Sequence, residues 1–117
     1  MADQRFLRQY RVRRTADFQR AYGRRCGASD GLLLVFAHPN NLPHPRLGLS
    51  VSRKIGNAVV RNRWKRLIRE AFRLSRAQLP TGIDLIVIPR PDKKPELAAL
   101  RESLCRLAAR AGQKLNA

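Results

Sequence analysis

The chain has 117 residues, 44% of them apolar, with 25 Lys and Arg against 8 Asp and Glu, for a net charge of +17. That length and apolar share suit one packed domain over residues 1–117 and argue against global disorder. The charge excess opposes folding by self-repulsion and points to a polyanionic partner, with the preference for Arg over Lys favouring phosphate and bases.

Taken in chain order, residues 1–14 are basic and without clear period, and read as a flexible arm that orders on a partner. They contain no apolar signal core, and no later run approaches the roughly 20 residues of a membrane span; a soluble, cytoplasmic protein is expected. A short strand between Leu7 and Val12 is only faintly signalled. Thr15 can cap a helix to about Gly23, with Asp17 in its first turn and Phe18 and Tyr22 at i, i+4 on one face. The apolar run from Gly31 to His38 predicts a strand, the proline-rich stretch 39–45 a loop, and the alternation over 46–52 a half-buried strand. A long helix starts at Gly56 or Asn57 and runs to about Leu79, where Pro80 and Gly82 stop it. Residues 83–89 form another apolar strand. Pro95 and Glu96 open a last helix, with Leu97, Leu100, Leu104, Leu107, Ala108, Ala111 and Leu115 at helical spacing. Helix, two or three strands, helix, strand, helix is an α+β order, with helices on one side of a small sheet.

Cys26 and Cys105 stand far apart, with neither a CxxC nor a Cys/His cluster. They read as reduced, partly buried thiols, and a metal site is not expected.

The long helix carries the sharpest signal. At about 100° per residue, Val60, Trp64, Leu67, Ile68, Ala71 and Phe72 form an apolar stripe, and Trp64 belongs to the core. Arg61, Lys65, Arg69 and Arg73 form a ridge at i, i+4 spacing, with Asn62 and Arg66 beside it and Arg63 near the other flank. Cations at that spacing repel by a few tenths of a kcal/mol per pair. A solvated face would intersperse acids, yet only Glu70 is near, off the ridge. The ridge therefore reads as a phosphate-binding surface. An anionic membrane is the poorer candidate, because the apolar stripe is needed by the sheet. Just upstream, Arg53, Lys54, Gly56 and Asn57 precede free helix amides and make a generic phosphate cradle. The spacing is not that of a Walker loop.

Together, "GLSVSRKIGNAVVRNRWKRLIREAF" closely resembles the signature region of the bacterial ribonuclease P protein component, whose hallmark is the Arg61-Asn62-Arg63 triplet; "DFQRAY", Asp17 to Tyr22, resembles that family's first-helix motif. Similarity is sharp over 46–73, good over 15–22, and a matter of pattern beyond Pro80. The resemblance implies an α-β-β-β-α-β-α fold with a left-handed β-α-β crossover, an exception to the usual handedness. It implies a subunit that binds one large catalytic RNA through the basic helix and assists removal of the 5′ leader from precursor tRNA. Arg53, Lys54, Asn57, Arg61, Asn62, Arg63, Lys65, Arg66, Arg69 and Arg73 would face the catalytic RNA. Phe18, Tyr22, Phe36 and Arg14 would line a cleft for the single-stranded leader, where rings stack on any base.

Catalysis by the chain itself is not expected. Metal-assisted cleavage needs converging carboxylates, and Asp3, Asp17, Asp30, Glu70, Asp84, Asp92, Glu96 and Glu102 include no close DxD or ExE cluster. His38 and His44, the pair available for acid–base work, sit in or beside the proline-rich loop. Catalytic Mg2+ is expected on the RNA, with none held tightly by the protein. The alternatives are a general structured-RNA or ribosome-associated protein, a DNA-binding regulator, which lacks the helix-turn-helix arrangement, and a metal nuclease acting alone.

Overall fold

A computed structural model describes residues 8–12 and 26–115. The expected first helix, with Phe18 and Tyr22, and Arg14 before it, lies outside the described residues. Four strands, β1 (Gly27–Ser29), β2 (Leu33–Pro39), β3 (Arg46–Leu49) and β4 (Ile83–Pro89), form one sheet in the order β1-β2-β4-β3. β1 and β2 are antiparallel, as are β2 and β4, whereas β3 and β4 are parallel. The connection between the parallel pair is α1 (Ala58–Ser75); α2 (Leu97–Leu115) follows β4.

The sequence explains this order. The run Ile83–Pro89 is apolar at nearly every position because β4 lies between two neighbours, and all but Ile88 are buried. β2 alternates, with Leu33, Val35 and Ala37 buried and Leu34, Phe36 and His38 less so. The buried set joins Leu85 and Val87 of β4 with Trp64, Ile68, Ala71 and Phe72 of α1 and Leu100, Leu104, Leu107, Ala108 and Ala111 of α2 in one core. Both helices therefore cover the same face of the sheet. The opposite face carries a second, smaller cluster of Val12 and Ile86, with Phe36 packed against it.

Several boundaries differ from expectation. β1 is an unexpected strand, because Gly-Ala-Ser offers no β-branched or aromatic residue to signal it. β2 begins at Leu33 rather than Gly31, since Asp30 closes the turn: its Oδ1 accepts from the amides of Leu32 at 2.8 Å and Leu33 at 2.9 Å. β3 stops at Leu49, short of Ser52. α1 ends at Ser75 and a 3-10 turn, Arg76–Gln78, carries the chain to Leu79, whose extended backbone is what a residue before proline prefers. Val60, assigned to the apolar stripe, is 38% exposed, because the first turn of α1 extends beyond the core.

The N-terminal segment also departs from a flexible arm at residues 8–12. Arg8–Tyr10 is a 3-10 turn, and Arg11 forms a single parallel bridge to Leu47 in place of a full strand. Val12 N donates to Leu47 O at 2.9 Å. Tyr10 packs edge-on to His44 at 4.8 Å between ring centroids, with the Arg76 guanidinium 4.1 Å above its ring.

Candidate nucleic-acid interface

Two surfaces flank the sheet. The first is the outer side of α1 with the turn before it. That turn depends on Gly56, whose φ of 150° disfavours other residues and whose Cα lies so close to Val60 that a Cβ there would meet the valine Cβ at 3.0 Å. Asn57 caps the helix: its Oδ1 accepts from Val60 N at 3.0 Å. The side chain assigned to RNA contact thus spends its acceptor on the fold and keeps its amide donors. Arg53, Lys54, Asn62, Arg63 and Arg66 are exposed, and Arg61, Lys65 and Arg69 are half-buried.

Charge pairing sorts the ridge. Arg73 is not an open cation: its Nε donates to Glu70 Oε2 at 3.1 Å, and its Nη2 contacts the other carboxylate oxygen. Their hydrogen bond holds the Glu70 carboxyl below the usual range and raises the Arg73 guanidinium. The acid placed off the ridge by the wheel therefore neutralises the ridge's last member, because an i, i+3 pair is within reach. Arg53, Lys54, Arg61, Arg63, Lys65, Arg66 and Arg69 have no acidic partner among the described residues. Arg61 Nε is buried with no hydrogen-bond partner among the described residues, an unsatisfied donor. Burial first, and then the Arg11 charge, lower the Arg69 pKa. Sequence reading missed Arg11 because only the folded chain brings it near α1.

The second surface is the sheet face opposite the helices. Across it Gly27 pairs with Phe36, Phe36 with Ile86, and Ile86 with Gly48, so one aromatic ring and one isoleucine stand between two glycines. A Cβ on Gly27 would lie 3.0 Å from the Phe36 ring. At one end of this face Arg46 forks onto Asp84, Nε to Oδ1 at 2.7 Å and Nη2 to Oδ2 at 2.6 Å, and Asn40 Nδ2 donates to Oδ1 at 3.0 Å. Trp64, 1% exposed, belongs to the core as expected, so Phe36 is the described residue of the expected aromatic set.

Comparison with known proteins decides the family. The family model for ribonuclease P matches residues 6–112. The chain belongs to the ribonuclease P protein family. A ribonuclease P protein component from Methylococcus capsulatus is 51% identical over 86 residues, covering 73% of this chain and 66%, just under two thirds, of the relative. One from Brevibacillus brevis is 40% identical and covers 89% of this chain and 84% of the relative. The solved ribonuclease P protein of Staphylococcus aureus superposes with a TM-score of 0.73 at 38% identity, covering 84% of this chain and 91% of that one. The Thermotoga maritima protein gives 0.77 at 32% identity, covering 86% and 96%. Membership makes the chain a subunit of a tRNA-processing endoribonuclease, a ribonucleoprotein, in association with ribonuclease P RNA. No described helix is long and apolar enough to cross a membrane.

Proposed function

We propose that the chain grips the catalytic RNA through the outer side of α1 and its preceding turn, and receives the single-stranded 5′ leader of precursor tRNA on the sheet face that carries Phe36. The observation that carries this reading is the sorting of charge. Arg53, Lys54, Arg61, Arg63, Lys65, Arg66 and Arg69 lack an acidic partner among the described residues, while Arg46 and Arg73 are each held by an acid and Arg106 by two. Rigid guanidinium groups without acid partners suit the crowded phosphates of a folded RNA. Phe36, packed among aliphatic groups, suits a ligand read by stacking rather than by sequence. Phe18, Tyr22 and Arg14 complete the leader site in this reading.

The cutting belongs to the RNA in this proposal, and Mg2+ is held there. Three of the described carboxylates support this. Asp30 is bound by Ser103 and Arg106, Glu70 by Arg73, and Asp84 by Arg46 and Asn40. Carboxylates committed to guanidinium groups make poor metal ligands. His38 and His44 donate from Nδ1 to the carbonyls of Pro39 and Pro45, at 2.7 and 3.0 Å. Each ring is thus tied to the loop beside it, which gives no support to a paired acid and base.

Sequencing the RNA that purifies with the protein from cells tests the reading. One abundant structured RNA able to cleave precursor tRNA is expected. A spread of ribosomal RNA would favour a general RNA-binding or ribosome-associated protein instead.

A further inference from the structure

The two hydrophobic clusters, on opposite faces of the sheet, are joined through residues 10–12. Tyr10 packs against the main core under the helices, whereas Val12 is buried with Ile86 on the open face, where Phe36 also packs. The chain therefore passes from one face to the other between Tyr10 and Val12. It passes at the outer edge of β3, where Arg11 bridges to Leu47 and Val12 N donates to Leu47 O at 2.9 Å. The Tyr10 ring is held at this crossing by three elements that are distant in sequence. His44, from the proline-rich loop, meets it edge-on at 4.8 Å, Phe72 of α1 lies 6.3 Å away, and the Arg76 guanidinium of the 3-10 turn sits 4.1 Å over its face. An edge-on ring pair and a cation over a ring fix orientation as well as place.

We propose that Tyr10 is a positioning residue for the leader site: its ring fixes the point at which the chain passes onto the open face, and so sets Val12 against Ile86 and beside Phe36. This role rests on the reading of that face as the leader site. Tyr10 belongs to the core on the helix side, so it acts on a leader only through what it holds in place. In the sequence, Val12 leads directly to Arg14, Phe18 and Tyr22, which the same reading assigns to the leader. A segment without this anchor would have to order each time a leader binds, and that ordering would be subtracted from the affinity. Mature tRNA has no leader and escapes the penalty.

The test measures the affinities of precursor and mature tRNA for holoenzyme assembled from ribonuclease P RNA and full-length wild-type, Y10A, Y10L, Y10F, F36A, Y10A/F36A or L107V protein. Each variant is first shown to melt cooperatively and is assayed below its melting range. Y10A should weaken precursor binding about five-fold, the lower end of one base stack, and leave mature tRNA binding nearly unchanged. Y10L, which fills the space without a ring face, should show the same selective loss at a smaller cost in Tm. Y10F keeps the ring and should bind as wild type. The double variant should lose little more than F36A, since both changes act on one site. L107V, at a fully buried position on α2, should lower Tm and keep the wild-type ratio of the two affinities. A wild-type ratio for Y10A and Y10L beside a selective loss for F36A would overturn the positioning role and leave the leader face standing. Losses that multiply in the double variant, or an equal selective loss in L107V, would overturn it too. If F36A also keeps the wild-type ratio, the leader face fails and this role with it.

Discussion

A side chain at Gly27 would press on the Phe36 ring, whose Cδ1 and Cε1 lie 3.0 Å from where a Cβ would be. Gly27→Ala should therefore turn or displace the ring on the open face. If that face takes the leader, both Gly27→Ala and Phe36→Ala should weaken precursor tRNA binding about ten-fold, within the roughly 1–3 kcal/mol range of one base stack, and leave mature tRNA binding nearly unchanged. Equal losses for both RNAs would make Phe36 a packing residue only. Asp30 shows the opposite use of an acid. Burial alone would raise its pKa, but hydrogen bonds from Ser103, the Leu33 and Leu32 amides and Arg106 outweigh it and lower the carboxyl to about 2 from 3.8. A depressed carboxylate pKa stabilises the fold above the unfolded value and loses that contribution as pH falls from about 4 through about 2. Asp30→Asn should accordingly flatten the acid limb of stability, measured as Tm against pH. A wild-type acid limb in the variant would contradict this account.

Elements were legible where local chemistry decides them. β4 matches its expected 83–89 span, and α2 starts just after Pro95 and Glu96, because an uninterrupted apolar run and a clean helical period leave one solution each. β1 was invisible, since a short strand of small residues exists only through its pairing with β2. Order at residues 8–12 was only faintly legible, as a possible short strand between Leu7 and Val12, because their anchor points, Leu47, Phe72 and Arg76, are distant in sequence. The start of α1 was legible and gives a sharp prediction. Asn57→Ala removes the cap and should cost about 1 kcal/mol of stability. Asn57→Asp keeps an acceptor for Val60 N and suits the helix dipole, so its Tm should hold, while the added negative charge beside Arg53 and Lys54 should weaken RNA binding several-fold. A variant that binds RNA normally would remove the start of α1 from the interface.

At the scale of the whole molecule, the net charge of +17 is divided by the fold into neutralised and open parts. The cationic ridge was legible from spacing, but its end was not, because the Glu70–Arg73 pair is a matter of side-chain reach rather than pattern. Arg11 was not legible at all, since its bridge to Leu47 depends on the edge of the sheet. If about five phosphates are neutralised on RNA, the log–log salt slope of binding should be near −3.5, at about −0.7 per contact. Arg61→Ala or Arg66→Ala should flatten it, and an unchanged slope would move the interface elsewhere. The most direct measurement compares precursor tRNA cleavage by the protein stripped of all nucleic acid, by the RNA alone at high Mg2+, and by the two together. The account predicts no cutting by the protein, cutting by the RNA alone, and efficient cutting by the pair at lower Mg2+; hydrolysis at the mature 5′ end by the stripped protein would contradict it.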